Sequence, residues 1–515
     1  MENTKQKKNS IQLKVGIILS YIAITINILI QLLYSPVMIQ QLGQSEYGLY
    51  TLVASVVNYL SLFSLGFGGA YLRFCTRYES KKDVDGLARL NGMFLTVFMI
   101  MAGVAFLVGL VLSGYTDLVF GSNLTVSELE KAEVLMRVLV VNICLTFPES
   151  VFNAIITAHE KFIFQKVLQM VSNVCNPLIC LPLLFFGCDS VAIVCVTTGI
   201  TMVRLSIDIF YCISCLKVKF SFHGFECGLL KEIACFSFFL FLNMIIDQIN
   251  WSVDKFILGR VAGTTEVAVY GVAAMINSIY ITFSTAISNV FAPRINRIVE
   301  KGGDTYRKDL TDYFVRVGRL QFMVLCLVVS GFIVFGEYFI TNIYLTPEYK
   351  GAYVTALFLI VPVTIPLIQN IGIEMERAMN KHPFRVIVYT IMAFINVIIS
   401  IPLAMYFGSA GSAMGTAFGL LIANGLIMNI HYHKVLGIDM VLFWKSILRL
   451  AKGLVLPAIV GFVVMYTEFV DSILKFIVGV LVYIVIYAIS FWKLGMNAEE
   501  KKLVKGIVGC IDRRR

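Results

Sequence analysis

Apolar residues in this chain come in blocks of roughly 20, each nearly free of charge, with short polar connectors between them. About fourteen such blocks can be placed. They begin near Val15, Tyr47, Asn91, Val134, Val167, Val191, Ala234, Val269, Leu320, Tyr353, Val386, Ser412, Gly453 and Ile473. A backbone in hydrocarbon must satisfy its own hydrogen bonds, so every block is expected to be an α-helix and the whole chain an all-α polytopic membrane protein. The longest outer connector is the Tyr115 to Glu133 segment, and no inner connector is long enough for a folded aqueous domain.

The pattern also repeats. Gly43, Glu46, Tyr50 and Ala54 recur 220 positions later as Gly263, Glu266, Tyr270 and Ala274. The helix starts shift by nearly the same amount, with Asn91 against Leu320, Val134 against Tyr353, Val167 against Val386 and Val191 against Ser412. This predicts a six-helix bundle over residues 1–220, a second over 221–440, and an extra helix pair with a basic tail over 441–515. Six is even, so both bundles enter from the same face as parallel repeats and can rock about a central cavity. An even total puts both termini on one side.

Composition agrees, with 58% hydrophobic and only 14% charged residues, where soluble domains carry about a quarter. The net charge of +10 is a topology signal, because roughly 35 of the 42 Lys and Arg residues fall in alternate connectors, marking that side as cytoplasmic. Arg513, Arg514, Arg515 and the Arg294 to Arg319 loop are expected at anionic headgroups. The block from Val15 to Pro36 follows Lys5, Lys7, Lys8 and Lys14 but is too long for a signal peptide, so it reads as a retained anchor. The twelve cysteines, among them Cys144, Cys175, Cys235 and Cys326, read as small packing residues. No His/Cys cluster at zinc spacing points to a metal, and His431 and His433 stand alone on the basic side. The sequon Asn123-Leu124-Thr125 carries meaning only in a eukaryotic secretory pathway. With no Walker sequence, ATP is not expected to drive the protein directly, and no cofactor is expected.

The chemistry is carried by polar stripes. In the seventh helix Asn243, Asp247, Asn250 and Asp254 stand at i, i+4, i+7 and i+11, one face spanning roughly 16 Å. Asn142, Thr146, Glu149 and Asn153 repeat the device in the fourth helix; Thr197, Thr201, Arg204, Asp208 and Tyr211 do so in the sixth. A charge at the bilayer centre costs at least about 2.5–3.5 kcal/mol, so these groups need partners, a wet cavity or protonation. Arg204 and Asp208, one turn apart, can neutralise each other. Asp247, Glu149, Asp208, Asp254 and Glu374 are the candidates for ion coupling. Asn27, Gln31 and Tyr34 in the first helix, and Gln369, Asn370 and Glu374 in the tenth, suit helix–helix hydrogen bonds as well as cavity lining. Arg73, Arg137 and Lys255 lie near helix ends and can snorkel. Pro148, Pro362, Pro366 and Gly372 interrupt helices four and ten, where kinks can serve as hinges. Gly66 to Ala70 permits close packing at the end of helix two.

The run Gln41-Leu42-Gly43-Gln44-Ser45-Glu46-Tyr47-Gly48-Leu49-Tyr50, continued through Ser64-Leu65-Gly66-Phe67-Gly68 to Arg73, resembles the opening of bacterial polysaccharide flippases. Glu266 to Tyr270 does so in the second half. The likeness is to the oligosaccharide or O-antigen branch of the multidrug/oligosaccharidyl-lipid/polysaccharide exporter superfamily. It implies a transporter of the bacterial cytoplasmic membrane, serving O-antigen or capsule synthesis. The cargo would be an undecaprenyl-pyrophosphate-linked glycan, moved to the outer leaflet by alternating access coupled to H+ or Na+. A glycan polymerase and glycosyltransferases would be its neighbours. Under that resemblance Arg204 and Arg73 contact the pyrophosphate, and Asn142, Asn153, Asn243 and Asn250 hydrogen-bond the sugars. Two other members of the superfamily compete: a lipid II or sporulation flippase, and a multidrug cation antiporter, for which Asp247 and Glu149 would serve. A polymerase or transferase would need a catalytic loop in an aqueous domain, so no enzyme is expected and no nucleic acid.

Overall fold

A computed structural model of the chain describes residues 2–64, 67–81, 83–121, 123–224, 227–302, 306–467, 469–502 and 505. Among these there is no strand. The helices run in chain order as α1 (Glu2–Leu42), α2 (Gln44–Asn58), α3 (Phe67–Lys81), α4 (Val84–Ser113), α5 (Thr116–Phe120), α6 (Val126–Ala158), α7 (Phe162–Phe185), α8 (Ser190–Phe210) and α9 (Cys227–Val261). They continue as α10 (Thr264–Lys301), α11 (Tyr306–Tyr338), α12 (Lys350–Ile368), α13 (Ile371–Ala378), α14 (His382–Leu420), α15 (Met428–Lys434), α16 (Met440–Ala451), α17 (Val455–Tyr466) and α18 (Ile473–Ser490). Eleven helical stretches among the described residues are long and apolar enough to cross a membrane, making this a multi-pass membrane protein. One of them, His382–Lys434, turns within its length at Gly408, where φ is +57°.

The chain divides into two compact units: Met1–Gly271 with Ala404–Gly408, and Val272–Leu403 with Ser409–Arg515. In the first, α4 and α8 pack on α6, and α1 packs on α7. In the second, α11 packs on α12, α16, α17 and α18. Backbone in the left-handed region recurs at a spacing of 220 residues: Gly43 and Gly263, Glu160 and Asn380, Lys217 and Gly437.

Short polar side chains start the helices. Asp83 accepts from the Gly86 N–H at 2.7 Å, and Thr125 and Glu128 form a reciprocal box at the start of α6. The Gln41–Tyr50 motif turns out to be a tie of this kind. Glu46 takes 2.9 Å from the Lys131 ammonium, 3.1 Å from the Ser190 N–H and a further bond from the Ser190 hydroxyl, fastening α2 to α6 and to the first turn of α8. Lys131 also reaches Asp189 at 3.0 Å. Burial pushes the Asp189 carboxyl up, but the Lys131 ammonium and the Ala192 and Val191 N–H groups outweigh it and hold it below the usual carboxylate range. That contribution is therefore present at neutral pH and fades as pH falls through the lowered value. Gly48 faces the Thr264 carbonyl so closely that a Cβ would lie 1.9 Å from its oxygen. The second copy of the motif is also closely packed: a Cβ on Gly408, where φ is +57°, would lie 2.6 Å from Glu266 Oε2, so only glycine fits there, on conformation and on space.

The structure departs from the sequence reading at the Arg294–Arg319 connector. It is mostly helix, because α10 runs on to Lys301 and α11 begins at Tyr306, fourteen residues before the apolar block. Arg319 is not at headgroups but 5% exposed. Its guanidinium grips Glu500 with both arms, at 2.6 and 2.8 Å, and donates to the Ser446 and Gly495 carbonyls at 2.7 and 3.3 Å. Glu500 in turn accepts from the Asn497 N–H at 2.8 Å, so one carboxylate caps the turn at 498–502 and ties it to α11. Arg513, Arg514 and Arg515 lie outside the described residues.

Two outcomes are expected. Arg319→Leu should lower stability by about 3–5 kcal/mol because it strands a buried carboxylate, and Arg319→Leu/Glu500→Leu should recover much of that loss; thermal melting in detergent compares the two, and additive losses would contradict it. Glu46→Ala should cost about 1–3 kcal/mol by leaving the Ser190 N–H unmet and Lys131 with Asp189 alone, seen as a lower Tm with unchanged membrane insertion.

Candidate functional site

The sixth block, now α8, begins at a cap in which Asp189 accepts from the Val191 and Ala192 N–H groups, and carries Arg204 roughly 21 Å along its axis. An unpaired guanidinium at that depth is not tolerable, and its partner is Glu149 on α6, in direct ion-pair contact. Arg204 therefore turns to Glu149 and not to Asp208, the neighbour that spacing on its own helix offered. Helical geometry explains the choice, since α6 and α8 pack along one another and bring the two stripes face to face.

The stripes knit together over several turns. Asn142 donates to Thr201 at 3.1 Å; Asn153 donates to Glu149 Oε1 at 3.2 Å. Gln165 on α7, which spacing did not single out, donates to Asn153 at 2.9 Å and accepts from Thr157 at 3.3 Å. Asn176 donates to Thr197 at 3.0 Å, and the Tyr211 ring stacks on Phe164 with centroids 3.7 Å apart. Between α6, α7 and α8 these groups leave a hollow of about 520 Å³, walled by Thr146, Glu149, Ser150, Asn153, Ala154, Thr157, Gln165, Thr201 and Arg204. Only Ala154 among the nine lacks a polar side chain. Glu149 is 8% exposed at its side chain and Arg204 30%, so the carboxylate anchors the pair while the guanidinium reaches into the hollow.

Asp208 lies one turn below Arg204, 1% exposed. Among the described residues neither of its carboxylate oxygens has a hydrogen-bond partner. Such a group is costly to keep as an anion.

The other candidates scatter. Asp254 is fully buried and accepts from the Tyr270 hydroxyl at 2.7 Å, which makes it a joint between α9 and α10. Glu374 pairs with Arg377 at 2.7 Å on an exposed face of α13. Arg73 is exposed on α3, its guanidinium 6.0 Å from the Phe74 ring centroid. Asn243, Asp247 and Asn250 sit on α9, but their side chains lie outside the described residues, as do Leu65 and Gly66 of the motif. Gln369 and Asn370 make inter-helix bonds, to Asn429 at 3.2 Å and Ser288 at 3.1 Å, and Tyr34 packs on Cys180, Leu184 and Ile193. The prolines behave differently: α6 continues through Pro148, whereas α12 stops at Ile368, shortly after Pro366, and α13 resumes at Ile371.

A second buried network escaped the sequence reading. In the second unit Arg385 donates to Glu376 at 2.5 Å, to Tyr389 at 2.8 Å and to the Tyr432 hydroxyl, and Tyr389 donates to Asn424 at 2.5 Å. The signal was Arg385 with Tyr389 one turn on, which looks like an ordinary snorkelling helix end until Glu376 is placed beside it. No group of three or more metal-ligating side chains is found among the described residues; Cys212 and Cys215 are a C-x-x-C pair that the sequence reading overlooked, and neither is in a disulfide.

A curated Shigella flexneri protein named "Putative O-antigen transporter" is 21% identical over 261 residues, half of this chain; the match spans 60% of that relative's length. The fold is like that of a lipid II flippase MurJ in an inward closed conformation, with a TM-score of 0.68 at 16% identity over 94% of this chain and 97% of that one. It is also like an inward-facing multidrug resistance transporter of the same superfamily, with a TM-score of 0.60 at 15% identity over 78% and 96%. These relatives are transporters and flippases, not enzymes. A family profile described as "Polysaccharide biosynthesis protein" matches residues 13–299, more than half of the chain, and the chain belongs to that family.

Proposed function

We propose that the chain flips an undecaprenyl-pyrophosphate-linked oligosaccharide from the cytoplasmic to the outer leaflet by ion-coupled alternating access. The observation that carries the reading is the polar hollow among α6, α7 and α8, where a partly exposed guanidinium is held by one carboxylate and ringed by amides and hydroxyls. Guanidinium binds phosphate through paired N–H donors, and amides and hydroxyls bind sugars, so the wall fits both halves of the head group. Arg204 takes the pyrophosphate, Arg73 meets it at the inner mouth, and Asn142 and Asn153 bind glycan, joined by Asn243 and Asn250 on α9. The tail stays in lipid.

Phosphate arriving at Arg204 competes with Glu149 for the same donors. Glu149 is then released to bind a proton, and Asp208 beneath it, already without hydrogen-bond partners, is the second carrier. Asp247 completes the coupling set, with Asp254 and Glu374 in lesser parts. The fourteen-helix plan, two parallel six-helix repeats plus a terminal pair, is supported by the left-handed backbone positions recurring 220 residues apart. The alternating distribution of Lys and Arg supports cytoplasmic termini. A lipid II-type substrate is the second reading, favoured by the likeness of fold across 94% of the chain.

Three outcomes test the reading. Arg204→Ala should lower glycan export in a deletion strain about tenfold or more, a loss of at least ~1.4 kcal/mol of stabilisation, with normal membrane insertion, and Arg204→Lys should recover only part of it because the paired donors are gone; wild-type export by the alanine variant would sink the site. Asp208→Asn should abolish stimulation by an imposed pH gradient in vesicles while Na+ gradients leave the wild type unaffected; a response to Na+ alone would overturn the proton assignment. Expression in a strain depleted of its lipid II flippase separates the two cargoes: rescue of growth points to lipid II, and its absence together with restored glycan export points to the oligosaccharide.

A further inference from the structure

The second unit holds another hollow, of about 530 Å³, with a different chemistry. It lies between the start of α14 and the end of α15, where the chain leaves and re-enters the membrane-spanning stretch His382–Lys434. Its walls are apolar and face outward: Phe384 is 40% exposed, Leu426 58% and Ile430 48%. The Phe384 ring lies flat on His431, centroids 4.2 Å apart, and forms the floor. Lys381 and Lys434 stand at the rim, both exposed, and no carboxylate lines the hollow. Glu376, behind the floor, is fully buried and already held by Arg385.

From this geometry we infer a binding site for one anionic phospholipid, its phosphate between Lys381 and Lys434 and an acyl chain along Phe384, Leu426 and Ile430. Two cations with no acid between them favour an anion, whereas an outward apolar wall has no use for a free one. An amphiphile with a charged head satisfies both at once. The lysines sit where a span ends, the level of headgroups. The first unit offers an internal comparison 220 positions earlier: Phe164 stacks on Tyr211 and Lys161 stands in the place of Lys381, but Ser214 replaces Lys434. Only the second unit has the pair of cations. The site is separate from the Arg204 hollow and asks nothing of the transport cycle.

The test uses the full-length protein purified in detergent and exposed to equal amounts of phosphatidylglycerol and phosphatidylcholine, with retained lipid counted by native mass spectrometry. Phosphatidylglycerol should be retained about tenfold over phosphatidylcholine. Lys381→Gln/Lys434→Gln should abolish that preference and Lys161→Gln should keep it. Should the double variant not fold, the wild type alone suffices, since high salt should erase the preference for the anionic lipid. Equal retention of the two lipids, or an undiminished preference in the double variant or in high salt, overturns the site. So does displacement of phosphatidylglycerol by undecaprenyl phosphate at equal concentration, which would make the groove part of the cargo's route.

Discussion

A guanidinium deep in an apolar helix has to be paired, and that requirement organises the first unit. Arg204 cannot be hydrated by lipid, so α8 is held in register with α6 by the one carboxylate that reaches it, Glu149. Everything else at the site follows from the register. With those two side chains opposed, Asn142 meets Thr201 and Asn153 meets Glu149, and α7 closes the side through Gln165. The hollow is what remains when three polar stripes are aligned by one ion pair and their side chains are too short to fill the space between them.

Buried charge is used in two ways in this chain. Arg319 with Glu500 and Arg385 with Glu376 are almost wholly enclosed, and each guanidinium spends its donors on protein oxygens. Such pairs fix geometry, since separating them exposes two unsatisfied charges at once. Glu46 with Lys131 belongs to the same class nearer the surface. The Glu149–Arg204 pair differs because one partner is buried and the other opens on a polar space. If an incoming anion takes the guanidinium of such a pair, the buried carboxylate is left without its cation and is driven to bind a proton.

The helical class, the multi-pass character and the polar faces of α6 and α8 were legible because apolar block length and i, i+4 spacing are set by the membrane and by helix geometry alone. What spacing could not supply was the choice between partners. Arg204 with Asp208 on one helix and Arg204 with Glu149 across two look alike in sequence, and only packing decides. Gln165 and the Arg385 network were missed for the same reason, each needing a residue from a different helix to give it meaning. The Gln41–Tyr50 motif pointed to the right family through residues that fasten helices together: Glu46 binds Lys131 and Ser190, and Gly48 yields space to Thr264. Helix beyond the apolar block, at Tyr306–Arg319, was read as a loop because hydropathy reports the membrane and is silent on where a helix stops outside it.

Asp208 shows why the geometry suits coupling better than static binding. One turn from Arg204 and buried, it would be stabilised as an anion only if the guanidinium turned toward it; with Arg204 committed to Glu149, its oxygens are left without donors. Two carboxylates thus face a single positive charge, and whichever of them loses the guanidinium has reason to take up a proton. In the proposed cycle the pyrophosphate is a third claimant on the same charge. Loading cargo and loading protons then become alternative ways of settling one electrostatic account, which ties the movement of one to the movement of the other without requiring the two to touch.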